Sequence, residues 1–528
     1  MAETPARRST DLAARRRSAR PPSSTPVEGA EHGSTTPDVT GLDRLATLPE
    51  WLSAAQPDRL SAGLAMAVPE VARGDLILHE CDPRHFRLDN GTWIFQCRVS
   101  VGRPAGEPWE VWLEGSFDPA GDPQVAQPGS AIAFGVEGWR CLLPEIGVEL
   151  HTAPPDTRLP LMPQLTDARR ARVLLEDAIR AGTPTRAGVR IAACRPRVMR
   201  YARGSRCTIR YELDHPGVAS GPDWPDVVVA KTYRDGRGEN TFHGMRALWS
   251  SELSRSSAVA IAEPLAYVPE LRLLVQGPVA EDRTLKELIC LSVRKGTPAE
   301  RDEVDEYLAK AAVGLSALHG CGVGFGETVT LEGEVAEIHA TIERIAGRFP
   351  GLSGVAAPLL ARVADLAAQH PADPARPSHG TFRPAQVLLH RGRVGFIDFD
   401  DFCQAEPALD VARFRAGVRD CWMRTHVAAD GTIPSPEATG AATTALEAAC
   451  EWFLHHYEAA GHVSRERVML WETVDLLTDV LHAWTRMSPG RLLAGMLALD
   501  DHLRRCGLIA DLETLAVARD VGSRFRAA

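Results

Sequence analysis

Three groups of residues in this chain could do chemistry together. The longest runs from Ser378 to Phe414, SHGTFRPAQVLLHRGRVGFIDFDDFCQAEPALDVARF. It holds His379-Gly380-Thr381, then Arg383 and Gln386, two short apolar strands, Ile397-Asp398-Phe399, and finally Glu406-Pro407 with Asp410. The second group is one ammonium, Lys231, ending the apolar run Val227-Val-Val-Ala-Lys-Thr. The third is the turn Gly204-Ser205, flanked by Arg203 and Arg206. A glycine-bearing turn lets backbone N–H groups approach phosphate oxygens closely, and arginines add positive charge there. Each group has a plainer reading. An Arg-Gly-Ser turn often only joins strands, a strand-edge Lys can reach water, and an Asp after a strand can be an ordinary turn residue.

The elements that position these residues follow from pattern. The Gly204 turn joins two β-prone runs within Val198–Tyr211, as a hairpin demands. Lys231 ends a third strand, and a helix is predicted over Asn240–Ser254. Gln276-Gly277-Pro278 ends a fifth strand and reads as a hinge. From Leu285 onward the period is mainly helical. It is interrupted by strands predicted at Gln386–His390 and Val394–Asp398, joined by Arg391-Gly392, and by a breaker at Asp430-Gly-Thr-Ile-Pro-Ser-Pro. Helices are expected near 300–319, 333–348, 354–369, 407–424, 438–460, 464–486, 490–506 and 511–520.

The first half contains a repeat. Cys81-Asp-Pro-Arg-His-Phe-Arg-Leu-Asp-Asn-Gly91-Thr aligns without gaps to Cys194-Arg-Pro-Arg-Val-Met-Arg-Tyr-Ala-Arg-Gly204-Ser. A third strand, Trp109–Phe117, answers Asp226–Tyr233, and Leu143–Leu150 answers Val268–Val275. Asp156-Thr-Arg-Leu then answers Asp282-Arg-Thr-Leu. The alternative is convergence of short hairpin patterns. The copies differ chemically, because Gly115 stands where the second copy has Lys231. Residues 41–165 are therefore expected to form a β-rich lobe without the phosphate cation. Residues 166–186 read as a helical connector opened by Thr166-Asp167.

Bulk properties set bounds. A chain of 528 residues suggests two to four domains. A net charge of −10 argues against a general nucleic-acid or anionic-membrane partner. The 11 cysteines form no C-x-x-C pair, which fits a reducing, cytoplasmic setting and offers no metal framework. No apolar run has the length of a membrane span. The N-terminal arginines are followed by no apolar segment, so no secretory or twin-arginine signal is expected. Residues 1–40 are rich in Ala, Arg, Ser, Thr and Pro, and read as a disordered tail.

Taken together, His379-Gly380, Ile397-Asp398-Phe399 and Glu406-Pro407-Ala-Leu-Asp410-Val-Ala resemble the aminoglycoside phosphotransferase and choline kinase group. The resemblance covers roughly residues 187–425, most strongly 378–414. It implies an α+β, protein-kinase-like bilobal fold: a small antiparallel sheet lobe at 187–276 and a helical lobe at 277–528 bearing the catalytic hairpin. It implies ATP and Mg²⁺ as cofactors and a small-molecule or peptide hydroxyl as acceptor. Lys231 would bind the α- and β-phosphates, with Gly204, Ser205 and Arg206 at the phosphate turn and Gln276 at the adenine hinge. Asp398 would hold Mg²⁺ and Gln386 would stand where an Asn ligates a second one. Arg383 either lies near the transferring phosphate or pairs with a surface carboxylate. His379 braces the loop, and Asp410 caps or anchors the following helix. The helix partner of Lys231 stays unassigned between Glu239 and Glu252.

One departure bears on activity. The family's base is an Asp, and here it is Thr381, which cannot act as a base near pH 7. General-base help is worth about 10²–10⁴-fold, so its loss cripples a largely dissociative phosphoryl transfer without abolishing it. Either a carboxylate such as Asp400 or Asp401 substitutes, or the chain is a pseudokinase that binds nucleotide and acts as scaffold or regulator. A third reading is a component that activates peptide hydroxyls. The N-terminal repeat adds surface for a protein partner.

Overall fold

The computed structural model describes residues 54–89, 91–118, 132–217, 224–346, 350–426 and 436–508. The expected N-terminal tail, the Asp430 breaker and the helix expected at 511–520 lie outside these residues.

After a short helix α1 (Pro57–Ala67), the chain builds a first antiparallel sheet. Its strands are β1 (Ile77–Asp89), β2 (Thr92–Gly102), β3 (Trp109–Phe117), β4 (Arg140–Leu143) and β5 (Val148–Thr152). Alternation sets its buried face: Trp93, Phe95, Cys97, Val99 and Val101 of β2 point inward and their neighbours outward. Helix α2 (Ala168–Gly182) connects to the second sheet. It begins where Asp167 accepts a hydrogen bond from the Arg170 N–H, and it buries Ala171, Leu175, Ala178 and Ile179.

The second sheet contains β6 (Ala193–Ala202), β7 (Arg206–Asp214), β8 (Val227–Tyr233), β10 (Pro264–Val268) and β11 (Leu273–Gln276). Helix α3 (Arg237–Ser250) follows β8, and the two-residue strand β9 (Ala260–Ile261) precedes β10. The strand orders are β1-β2-β3-β5-β4 and β6-β7-β8-β11-β10, the same order in both sheets. The glycines of the two hairpin turns, Gly91 and Gly204, both adopt positive φ, 87° and 68°. Gly115 pairs with Phe95 and Leu150. Lys231 pairs with Thr208, which stands where Phe95 does in the first sheet, and on its other side with Leu274.

The remainder is largely helical. Strand β12 (Arg283–Thr284) leads into α4 (Leu285–Lys295), whose start is a capping box between Thr284 and Glu287. Then come α5 (Pro298–His319), α6 (Leu331–Ala346) and α7 (Pro350–Gln369). A second hairpin, β14 (Val387–His390) and β15 (Arg393–Phe396), is preceded by β13 (Arg376–Ser378) and followed by β16 (Cys403–Ala405). Its turn residues Arg391 and Gly392 both take positive φ, 46° and 77°, as a tight two-residue hairpin turn requires. Helices α8 (Ala408–His426), α9 (Pro436–Ala460), α10 (Arg465–Thr485) and α11 (Pro489–Arg505) complete the lobe. Phe414 of α8 stacks between Phe382 and Phe453, with centroids 5.1 and 4.1 Å away, so the loop before this hairpin rests on the helical core. Helix α10 is buried along most of its length, the place of a central core helix, and it carries Arg467, Glu472, Asp475 and Asp479 into that interior.

The first sheet docks on the end of α10. The Trp93 indole N–H donates to the Thr485 carbonyl at 3.1 Å, and its ring meets Trp484 edge-on at 5.5 Å. Gln96 donates to the carbonyl of Arg203, at the turn of the second sheet, at 3.2 Å.

Candidate active site

Strand β8 alternates in burial until Ala230, after which Lys231, Thr232 and Tyr233 are all buried. The strand's end is covered on both faces because it enters the crevice between the second sheet and the helical lobe. Lys231 crosses that crevice. Its Nζ donates to Asp398 Oδ1 at 2.6 Å and to Asp400 Oδ1 at 2.9 Å. Asp400 also accepts from the Tyr233 hydroxyl at 3.0 Å and from Arg206 Nη1 at 2.9 Å. Asp398 is held in the left-handed region, φ 72°, and a single turn, Phe399–Asp401, follows it. That kink lets one short segment present both carboxylates to the same ammonium.

Burial would push the Lys231 ammonium down and the Asp398 carboxyl up. The charges outweigh burial: Asp398 and Asp400 hold Lys231 above its ordinary value, and Lys231 with Arg206 holds Asp398 below the usual carboxylate range. Lys231 and Asp398 therefore both carry their charges at neutral pH.

Asp398 is 26 % exposed at its side chain, and Asp400 is 3 % exposed. Asp398 is thus the carboxylate that could turn to a magnesium ion. Mg²⁺ commonly takes one or two protein carboxylates and completes its shell with phosphates and water, which this donor set fits. Gln386 is committed elsewhere. Its Oε1 accepts the Arg383 N–H at 2.8 Å, closing the turn Pro384–Gln386, and its Nε2 lies 3.4 Å from Thr381 Oγ1.

The loop before the hairpin is pinned by Asp410. The N–H groups of His379 and Gly380 donate to its carboxylate at 2.6 and 2.9 Å, and His319 Nε2 lies 3.1 Å away. Asp410 stands in the first turn of α8, yet what it anchors is the catalytic loop. His379 Nε2 meets the Ile397 carbonyl at 2.9 Å, which ties the loop to the strand before Asp398 and gives His379 its bracing place. Gly380 has φ 84°, and a Cβ there would run into the Asp401 carbonyl, so only glycine fits.

Other predicted residues differ from expectation. Arg383 takes no part in the ionic cluster and pairs with Asp479 at 3.0 Å and Asp475 at 2.9 Å. These partners are buried carboxylates of α10, not surface ones. Burial pushes Asp475 up to about 6, whereas Arg383 and Arg491 outweigh burial at Asp479 and hold it low. The Gly204 N–H donates to Asp156 at 2.8 Å, and the Ser205 N–H to the Ala202 carbonyl at 2.9 Å. Both amides are thus engaged within the protein, and of the predicted turn residues Arg206 alone reaches the ionic cluster. Gln276 is buried in the ladder opposite Val229 and Pro264, beside the hinge. The bonds to Lys231 come from Asp398 and Asp400, not from Glu239 or Glu252.

Asp400 is the site residue that pattern reasoning undervalued. The signal available was only the run of carboxylates Asp398, Asp400 and Asp401; that Asp400 joins Asp398 depends on the left-handed kink, which no period encodes. Asp401, the next residue, lines a second cavity with Thr381, Glu334, Glu337, Arg413 and Asp475. That cavity adjoins the ionic cluster and is rich in carboxylates.

Residues 227–433 match the model of the phosphotransferase enzyme family. The stretch contains Lys231, Thr381, Asp398 and Asp410, the residues around which the cleft is built. No curated relative matches the chain. Among solved structures, a glucosamine kinase in complex with glucosamine, ADP and inorganic phosphate is 16% identical, covering 88% of this chain and 100% of its own, with a TM-score of 0.44. A GDP and kanamycin complex of APH(2")-IIia is 12% identical over 63% of this chain and 99% of its own, at 0.41. A choline/ethanolamine kinase family protein from Mesorhizobium loti is 15% identical over 67% and 99%, at 0.36. No helix among the described residues is long and apolar enough to cross a membrane.

Proposed function

We propose that the crevice binds a magnesium–ATP complex and that the chain transfers the γ-phosphoryl group to a hydroxyl of a small molecule. The observation that carries this reading is the bond of Lys231 to Asp398 across the two lobes, at 2.6 Å, with Thr381 and Asp401 lining the adjoining cavity. Lys231 would grip phosphate oxygens in the position now held by Asp398, and Arg206 would add a second positive charge. Bound magnesium would offset the charge of the phosphate oxygens. Lys231, Arg206 and Asp398 hold the nucleotide so that its phosphates meet the Thr381 cavity. There the acceptor oxygen bonds to the γ-phosphorus as the bond to the β-phosphate oxygen breaks. The acceptor's proton needs a base, which Thr381 cannot supply. Asp401 lines the same cavity and takes that proton.

The acceptor cavity has a charge signature. Glu334, Glu337, Asp401 and Asp475 line it, against Arg383 and Arg413. Burial keeps His482 neutral by pushing it down to about 4. The excess of carboxylates suits a hydroxyl compound that carries an amine.

A second reading has its own observation. The Gln386 amide oxygen is tied to Arg383 N–H, and Thr381 replaces a base, so two catalytic positions are spent on structure. On this reading the chain is a pseudokinase, a nucleotide-binding scaffold or regulator whose first sheet offers a surface to a protein partner. One assay decides between them. Wild type, Asp401→Asn and Thr381→Asp are incubated with radiolabelled ATP, magnesium and a panel of amino sugars and amino alcohols. Phosphorylated product from wild type, reduced about 10²-fold or more in Asp401→Asn, supports the transferase. Product from Thr381→Asp alone supports the pseudokinase.

A further inference from the structure

Three donors of the second sheet converge on one carboxylate of the helical lobe. Arg206 opens β7, and Lys231 and Tyr233 end β8. All three hydrogen-bond to Asp400, at 2.9, 2.9 and 3.0 Å. Asp400 is buried, whereas Asp398, the other partner of Lys231, faces the crevice. Helix α3 follows β8 directly, but its only first-turn acid, Glu239, does not bond to Lys231.

The charges show why two carboxylates are needed. Lys231 and Arg206 balance Asp398 and Asp400. Once Asp398 turns to a metal, two cations remain against one carboxylate. Asp400 then remains as the carboxylate partner of the buried ammonium, beside the phosphate oxygens that take the place of Asp398. Without its charge, Lys231 would rest on Asp398 alone and hold back the very group needed for the metal.

We propose that Asp400 is the positioning residue for Lys231, anchoring the ammonium from the helical lobe in place of a glutamate on α3. The proposal rests on the reading of the crevice as a nucleotide–phosphate site. It makes the anchor an inter-lobe latch. Lobe closure and Lys231 placement become one event, and α3, whose Gly244 packs against Phe402, supports the Asp400 turn rather than bonding to Lys231 itself.

The test is a calorimetric titration of the full chain with Mg·ATP, comparing wild type with Asp400→Asn, Lys231→Met, the double variant and Glu239→Gln. Asp400→Asn is expected to raise Kd about tenfold or more, as loss of a buried charged hydrogen bond implies. In the Lys231→Met background the same change is expected to add less than about twofold, because Asp400 acts through Lys231. Glu239→Gln is expected to bind within about twofold of wild type. Asp400→Glu keeps the charge but shifts it by a methylene. It is expected to melt like wild type and yet bind severalfold more weakly, so the proposal is tested even where Asp400→Asn does not fold. Wild-type affinity in the Asp400 variants, or an equal loss with Lys231→Met already present, overturns the anchor while leaving the nucleotide site standing. No binding by wild type overturns the nucleotide reading itself, and the anchor with it.

Discussion

Gly115 and Lys231 pair with corresponding residues, Phe95 and Thr208, in two sheets of the same strand order, and the Phe95 ring fills the space above Gly115. The first sheet lacks the cation and has also closed the space for one. Its aromatic residues serve packing instead: Phe95 stacks on Phe86 with centroids 4.9 Å apart, and Trp93 reaches the helical lobe.

Gly115→Lys is therefore expected to damage the first sheet without creating a second nucleotide site. A Cβ at 115 meets the Phe95 ring, and overpacking of this kind costs about 1–3 kcal/mol or more. Thermal unfolding should show a lower Tm, and Mg·ATP titration should show unchanged stoichiometry. A second bound nucleotide would contradict this account of Gly115.

How much of this was legible in the sequence depends on the range of each contact. The hairpin around Asp398, the strand ending in Lys231 and the helices from 298 to 505 follow from local pattern, and their bounds differ from expectation by only a few residues. The helix expected at Asn240–Ser254 starts and stops earlier, at Arg237–Ser250, because a separate turn, Glu252–Arg255, follows it. Partners were harder to read. Arg383 is closed by Asp475 and Asp479, 92 and 96 residues away, and Asp400 meets Lys231 across 169. No local period encodes such pairings. Asp410 shows the same limit, since its place in a first helical turn suggests a cap, and its carboxylate serves the loop 30 residues earlier.

Asp410→Ala is expected to be among the more destructive changes in the helical lobe. It removes a fully buried acceptor and leaves the N–H groups of His379 and Gly380 unpaired, at about 1–3 kcal/mol for each. Denaturant unfolding should show a loss of about 2–5 kcal/mol, with any phosphotransfer lost as well. Stability within about 0.5 kcal/mol of wild type would mean the loop has another anchor.

Acid should weaken the helical lobe in two stages. Burial pushes His502 down to about 4, so it stays neutral in the fold, against Thr473 at 2.9 Å. The unfolded chain takes up that proton below about 6.5. Stability is therefore lost as pH falls from about 6.5 toward about 4, by on the order of 1–3 kcal/mol. Glu472 adds the second stage. Arg415 and Arg419 overcome its burial and hold it below the usual range, so its contribution is present above the unfolded value near 4.3 and is lost below it. Urea unfolding across pH 4–8 should show this decline, with the upper step smaller in His502→Gln and the remainder owed to His482, which burial also pushes down to about 4. A flat profile from pH 7 to 5 would contradict the neutral, buried state of His502.

The pairing of Trp93 with α10 also carries a prediction. Trp93→Phe removes the bond to the Thr485 carbonyl and should cost about 1 kcal/mol, while Trp93→Ala should cost about 3–5 kcal/mol. Differential scanning calorimetry would show whether the first sheet then melts apart from the helical lobe. A single unshifted transition in Trp93→Ala would contradict the docking.

The central claim is that Lys231 and Asp398 form a nucleotide–magnesium site, and a calorimetric titration with ATP, with and without magnesium, tests it most directly. Wild type is predicted to bind one ATP, more tightly with magnesium. Asp398→Asn should lose the magnesium dependence, and Lys231→Ala should weaken binding about tenfold or more. Binding that is indifferent to both substitutions, or no binding by wild type at millimolar ATP, would contradict the account.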